Sequence, residues 1–232
     1  MFFAEPLFTG HFLRRRLRFI MDARLDSGEL VSAHCTNTGS MRSCFTPECR
    51  VALSRAANPA RKLAYTWELS HSGAAWIGVN THRANELAVE AVQSGRFPLL
   101  NGYAGLRREV PYGQNSRVDI LLEDGERRCY VEVKNVSMLA EDGACCFPDA
   151  VTVRGLKHIR ELQAMRAAGH RALMLFVVQR DDGAYFRPAD EIDPAYGAAL
   201  REAVAGGVEA LVLQAELSPA AISLVRELPL RL

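Results

Sequence analysis

The sequence predicts two domains, a small antiparallel β-barrel over residues 1–82 and an α/β domain over residues 83–232. Three observations carry this. The first 80 residues break into short strand-like runs, separated by turn residues at fairly regular spacing. Near Asn80 the pattern changes to helices alternating with strands, the texture of an α/β sheet. Between two of the later strands lies Asp124-Gly125, the strongest short hairpin signal a sequence offers. With 232 residues, 49% of them hydrophobic, there is ample material for two cores.

In the first domain, RRRLRFIMDARL (14–25) reads as one strand closed by the turn Asp26-Ser27-Gly28. ELVSAHC (29–35) follows, then the polar turn TNTGS, then CRVALSRA (49–56), LAYTWELS (63–70) and AAWIGVN (74–80). Five such strands fit an OB-type barrel, a common nucleic-acid platform. Arg14, Arg15, Arg16 and Arg18 form a basic cluster at the first strand and are candidates for phosphate contact, which makes binding salt-dependent. Tyr65 and Trp67 share one strand face, where either stacking on bases or core packing accounts for them. Asn37 and Gly39 read as turn residues, as their backbone preferences suggest.

The second domain opens with the helix THRANELAVEAVQSG (81–95), which has Leu87, Ala91 and Val92 on one face and a closing glycine. Asn80 and Asn85 flank its start, where capping explains one of them. Strands follow at LRREVPYG (106–113), SRVDILL (116–122) and CYVEVKNV (129–136), then a loop through AEDGACCFPDAVTV (140–153). A second helix, RGLKHIRELQAMRAAG (154–169), leads to RALMLFVVQ (171–179), an apolar run suited to a strand buried on both faces. The helix PAYGAALREAVAGG (194–207) and the strand VEALVLQAEL (208–217) complete the order αβββαβ, then αβ.

A two-residue turn at Asp124-Gly125 pairs Glu123 with Glu126, so Asp119 faces Tyr130 and Arg117 faces Glu132. With a side-chain period of two, Arg117, Asp119, Tyr130, Glu132 and Lys134 share one face, and Val118, Ile120, Leu122, Cys129, Val131 and Val133 the other. Asp119 and Glu132 become diagonal neighbours, with Cα atoms about 7–8 Å apart. Two carboxylates so placed converge on one hard cation, Mg²⁺ or Mn²⁺ in its place. Such an ion polarises a phosphoryl oxygen and acidifies a bound water, and Lys134 is placed to orient that water or meet developing charge. Alternating charges on the wet face of a hairpin are the ordinary alternative. The context favours chemistry, because αβββαβ is the core order of restriction-endonuclease-like, or PD-(D/E)xK, folds. Further acids precede the pair, Glu86 and Glu90 on the first helix and Glu109 in the strand before. The literal Pro148-Asp149 follows the ExK strand instead of preceding it, so the motif aspartate is Asp119.

The segments HCTNTGSM (34–41), SRVDILL (116–122), YVEVKNVS (130–137), FPDAVTVRGLKHIREL (147–162) and LPLRL (228–232), in that order, resemble the sugar fermentation stimulation protein (SfsA) family. The likeness runs from about residue 7 to the end. It implies an N-terminal OB domain, a PD-(D/E)xK-type C-terminal domain, non-specific DNA binding and a regulatory role in sugar (maltose) metabolism. Carried over, the nuclease-like positions are Asp119, Glu132 and Lys134, with Glu109 or Glu90 as third acid.

On the second helix, Arg154, Lys157, His158 and Glu161 form one stripe. Arg154 and Lys157 near its N-terminus suit a phosphate, as does Arg117 on the hairpin face, and His158 is read as a structural or phosphate contact. The alternative is a solvent face with a Lys157–Glu161 pair. Residues 1–82 hold ten Lys/Arg against six Asp/Glu, and residues 83–232 eighteen against twenty-one, on a chain of net charge +1. A mildly basic front half is weak evidence for a polyanion partner. No export signal and no apolar run of about 18 residues is present. Six cysteines without a CxxC pair suit thiols of a reducing cytoplasm, and His34, Cys35, Cys44 and Cys49 are wrongly spaced for a zinc knuckle. P-loop, dinucleotide and G-x-S-x-G patterns are missing. The expectation is a DNA-binding, Mg²⁺-dependent endonuclease, or else a non-catalytic DNA-binding regulator on the same fold. A homodimer is expected by analogy, since cutting two strands needs two sites.

Overall fold

The computed structural model describes residues 1–232. Six strands build the first domain: β1 (Phe8–Arg16), β2 (Ile20–Leu25), β3 (Leu30–His34), β4 (Arg50–Arg55), β5 (Tyr65–His71) and β6 (Trp76–Gly78). β1 pairs with β2 and β4, β2 with β3, and β4 with β5, all antiparallel. A parallel pairing of β3 with β5 closes the ring. β6 adds to β5 outside it. Inward-facing Phe12, Met21, Leu53, Trp67 and Ile77 fill the barrel.

The run 14–25, expected as one strand, is the end of β1, a turn, and β2. Leu17 and Arg18 both take left-handed backbone, φ 53° and 63°, which hairpin turns require but which Asn and Gly normally supply. No turn residue marks the site, so the hairpin is silent in the sequence. Arg15 Nε holds the turn by donating to the Arg18 carbonyl at 2.8 Å.

Across this hairpin Asp22 accepts from Arg14 Nε at 2.8 Å, Arg16 Nε at 3.0 Å and Ser32 Oγ at 2.6 Å. The Arg16 hydrogen bond outweighs burial and, with Ser32 and Arg14, holds the Asp22 carboxyl far below the usual carboxylate range. A depressed acid contributes stability that is complete above its unfolded pKa, about 4, and is lost as pH falls towards the folded value. Asp22→Asn is therefore expected to lower stability by about 1 kcal/mol at pH 7. Thermal melts of variant and wild type should converge as pH falls below that range.

The second domain contains α1 (Arg83–Ser94), β7 (Gly105–Tyr112), β8 (Ser116–Asp124), β9 (Arg127–Val136), β10 (Met138–Leu139), β11 (Ala144–Phe147), α2 (Val153–Ala167), β12 (Arg171–Val178), β13 (Tyr185–Pro188), α3 (Pro194–Ala205), β14 (Glu209–Leu217) and β15 (Ile222–Glu227). Its main sheet runs β15-β14-β12-β9-β8-β7. The inner pairs β9–β12 and β12–β14 are parallel, and their strands are buried on both faces, as the apolar run 171–179 predicts. α1 covers one face through Leu87, Ala88 and Ala91. α2 and α3 cover the other through Ile159, Leu162, Tyr196 and Leu200. α1 ends at Gly95 in left-handed conformation, and Thr152 Oγ1 caps α2. The expected loop 140–153 carries β11, which joins β10 and β13 in a small separate sheet. β11 and β13 are only four residues each, too short to show a period.

The hairpin turn lies one residue later than expected. Asp124 pairs with Arg127 and Ile120 with Val131, so the turn is Gly125-Glu126. A one-residue move of the turn shifts each pairing by two, which preserves the faces, and Tyr130, Glu132 and Lys134 still point together. Arg117 pairs with Pro111 of β7 and not with Glu132. No helix is long and apolar enough to cross a membrane.

Candidate active site

The site forms where β8 and β9 part. Their ladder ends at Ile120–Val131, and beyond it the Asp119 side chain takes over, its Oδ2 accepting from the Val133 backbone N–H at 2.8 Å. The neighbouring strand kinks at the same level. Glu109 of β7 has a left-handed φ of 52°, between the pairs Arg108–Ile120 and Val110–Val118. As a result Ile120 packs in the core under α1, while Val118 packs with Leu121 and Tyr130 under α2. Strict alternation put Val118 with Ile120. The kink breaks it and presents Asp119 at the turning point.

Asp119 Oδ1 accepts from Asn85 Nδ2 of α1 at 3.0 Å. Glu132, only 1% exposed, receives the Lys134 ammonium on Oε1 at 2.7 Å and, on the same oxygen, His158 Nδ1 of α2. Arg154 Nε donates to His158 Nε2 at 3.3 Å, and the Lys134 ammonium also lies 3.1 Å from His158 Nδ1, so Lys134, His158 and Glu132 form one cluster. Burial, then the Glu132 charge, raises the Asp119 carboxyl above the usual aspartate value. Burial also pushes Glu132 upward, but His158 and Lys134 outweigh it and hold Glu132 below its usual value. The site therefore holds one ionised glutamate beside an aspartate that would gain from a cation.

The other glutamate oxygen, Oε2, is buried without a partner, as are the hydroxyls of Tyr112 and Tyr196. Burial, then the Glu132 charge, pushes both phenols upward. A buried carboxylate oxygen with no donor is costly and is the atom a metal ion would take. Asp119 and Glu132 thus fit a divalent cation. Mg²⁺ asks for no more protein than this, because it is commonly held by one or two carboxylates, waters and substrate phosphates.

Neither expected third acid joins the pair, and no three His, Cys, Asp or Glu side chains are grouped to hold a metal. Glu90 bonds the N-terminal amine of Met1 at 2.7 Å. Glu109 lies level with Asp119 on β7, but its side chain is exposed. The helix α1 contributes Asn85 instead, a residue the sequence offered only as a cap.

The basic candidates separate as well. Arg14 and Arg16 share the single carboxylate of Asp22 and stay exposed, so the trio keeps one net positive charge. Arg15 is a brace, donating to the carbonyls of Asn37 at 2.8 Å and Gly39 at 3.1 Å. Arg18 is exposed and lines a cleft. Lys157 reaches the Gln114 carbonyl at 2.7 Å instead of Glu161, and Glu161 accepts from Gln114 N–H at 3.1 Å. Arg117, Arg154 and Lys157 are exposed at the surface. Trp67 and Tyr65 are both core residues and present no face to a base. All six cysteines are free thiols.

The cleft, of about 420 Å³, runs between the domains. Lys134 and Asn135 line it from β9, Thr36–Gly39 from the barrel, and Pro148, Asp149 and Thr152 from the segment before α2. Gly39 lies so close to the Asp149 carboxylate that a Cβ there would collide with it. The TNTGS turn is thus one wall of the cleft as well as a turn.

An OB barrel fused to a mixed α/β sheet with a D…ExK-like face on its kinked hairpin defines a restriction-endonuclease-like domain with an OB partner. Family models agree with each half: the SfsA N-terminal OB domain matches residues 13–79, and the sugar fermentation stimulation protein RE domain matches residues 82–221. The chain belongs to the sugar fermentation stimulation protein family. It is 50% identical over 227 residues to the homolog of Geotalea uraniireducens, covering 98% of both chains. It is 51% identical over 229 residues to that of Geobacter sulfurreducens, covering 99% and 98%. The structure of Pyrococcus furiosus SfsA in complex with Ca²⁺ is similar with a TM-score of 0.88 at 28% identity, over 100% of this chain and 98% of that one.

Proposed function

We propose that this protein binds DNA and hydrolyses its phosphodiester bonds with a divalent cation, Mg²⁺ or Mn²⁺, held by Asp119 and Glu132. The observation that carries the reading is Glu132 Oε2, a buried oxygen without a partner, beside a second carboxylate and a lysine. The Pyrococcus relative, described as a complex with Ca²⁺, supports it, because Ca²⁺ and Mg²⁺ share a demand for oxygen ligands. When bound, the cation supplies Lewis acidity to a phosphoryl oxygen and lowers the pKa of water. The chain's own residues do the rest. Asn85 and the Val133 N–H fix the Asp119 rotamer. His158 and Lys134 hold Glu132 ionised. Lys134, lining the cleft, is placed to meet a phosphate or orient a water.

One observation favours a second reading, a DNA-binding regulator without cleavage: α1 offers Asn85 to Asp119 where a third acid was expected. The family's name, which ties it to sugar fermentation, suits that reading. The deciding experiment incubates the protein with plasmid and oligonucleotide in Mg²⁺, Mn²⁺ and EDTA. New DNA ends that vanish in EDTA support the nuclease. Retarded but uncut DNA under both metals supports the second reading.

A cation site is also testable without DNA. Ca²⁺ or Mg²⁺ at about 100 times its dissociation constant is expected to stabilise the fold by about 2.7 kcal/mol, seen as a raised melting temperature. A melting point indifferent to both ions would dismiss the site.

A further inference from the structure

The cleft beside Lys134 is bordered in sequence by exposed apolar side chains. Arg18, which lines it on the barrel side, stands between Leu17, 68% exposed, and Phe19, 47% exposed, and on the other side the lining residue Val151 is 73% exposed and Val153, next after the lining Thr152, 82%. These are four of the nine large apolar side chains that the chain leaves exposed, so the grouping is more than the usual scatter. Two cations, Arg18 and Lys134, line the same cleft. The barrel side is held in place: Cys35 N–H donates to the Phe19 carbonyl at 2.9 Å, and Arg15 ties the Arg18 carbonyl to those of Asn37 and Gly39. Thr36 also lines a second cleft, of about 530 Å³, so the two lie side by side as one trough. Arg18 and Lys134 line its first part beside the Asp149 carboxylate, and Arg61, His34 and His82 its second part beside Glu68 and Glu86.

An undistorted duplex hides its base faces in the stack and offers phosphates and groove edges, so apolar side chains beside cations meet no base face unless the duplex is kinked. Unpaired nucleotides offer a bare base face next to each phosphate. The geometry points to single-stranded DNA as the occupant of this trough. A base stacks on Phe19, its phosphate lies near Arg18 and Lys134, and the strand continues past Thr36 towards His34, Arg61 and His82. The inference rests on the proposed function only in taking DNA as the ligand, and it names the form of DNA the site accepts. Apolar side chains also wedge between base steps of a duplex, which the test separates.

The test measures fluorescence anisotropy of a labelled oligonucleotide, single-stranded and as a blunt duplex of the same sequence, with the full chain in Ca²⁺. The single strand is expected to bind about 10-fold tighter or better. Phe19→Ala should cost about 10-fold for the single strand and little for the duplex, while Phe19→Trp should retain affinity. Equal affinity for both forms, or a Phe19→Ala loss shared by both, overturns the inference. The same oligonucleotides in Mg²⁺ report on cleavage separately. A single-strand preference without cutting upholds the trough and removes the nuclease. Equal cutting of both forms does the reverse.

Discussion

Asp119→Asn is expected to lower metal-dependent cleavage by about 1,000-fold while leaving the protein at least as stable as wild type. The loss follows from the chemistry. A cation held by two carboxylates supplies several kcal/mol of transition-state stabilisation, and about 1.4 kcal/mol is tenfold in rate. The carboxamide keeps the shape but not the charge that binds the ion. The stability follows from the sign of the shift. Burial and Glu132 raise the Asp119 carboxyl in the folded state, and a raised acid costs stability once pH exceeds its unfolded pKa, with the cost complete above the folded value. The uncharged carboxamide of the Asp119→Asn variant escapes that cost and still offers an oxygen to the Val133 N–H or to Asn85. Cleavage of plasmid and a thermal melt, both in Mg²⁺-free and Mg²⁺ buffer, check the two halves. A variant that cuts normally would remove Asp119 from the chemistry. A variant that loses activity together with a large part of its stability would make Asp119 a structural residue instead.

That pattern, a side chain that costs stability where it serves chemistry, also marks the limit of what the sequence reveals. The barrel, the αβββαβ order and the shared face of Glu132 and Lys134 were legible because period-two alternation and turn residues are local signals. The Asp124-Gly125 signal misplaced the turn by one residue and the faces survived, since parity is what alternation encodes. The Leu17–Arg18 turn was not legible, because its positive φ values fall on residues with no preference for them. Nor was the kink at Glu109, which moves Val118 to the opposite core. Partners supplied from afar were also hidden. Asn85 reaches Asp119 from 34 residues away, and His158 reaches Glu132 from 26. Charge clustering showed neither Asp22, which Arg14 and Arg16 share across the hairpin, nor the loop carbonyls that Arg15 braces.

The largest loss of stability is expected at Arg180, which lies between the domains. It is 1% exposed, and its guanidinium makes a two-pronged pair with Asp182, Nε to Oδ1 at 2.6 Å and Nη2 to Oδ2 at 2.8 Å. Its Nη1 donates to the Ser137 carbonyl at the end of β9, at 2.8 Å, and to the Ser43 carbonyl of the barrel at 3.3 Å. The backbone at Arg180 also bridges to Ile77 of β6. One planar fork thus joins the barrel, the strand that carries Glu132 and Lys134, and the end of β12, which a lysine cannot reproduce. Arg180→Ala leaves Asp182 and two carbonyls without their donor. Asp182 is exposed as a residue and regains water, so the loss comes mainly from the buried Ser137 carbonyl left without its donor and from the lost packing of the arginine. A buried group left unpaired costs about 1–3 kcal/mol, or several degrees of melting temperature in a chain of this length. Because Ser137 lies three residues after Lys134, cleavage should fall as well, through looser placement of the lysine. Arg180→Ala combined with Asp182→Ala should lose less than the sum of the single losses, since the second change removes the stranded carboxylate. Additive losses would mean that Arg180 acts through the two carbonyls alone, and a melting point within about 2 °C of wild type would mean that the domains are held together elsewhere.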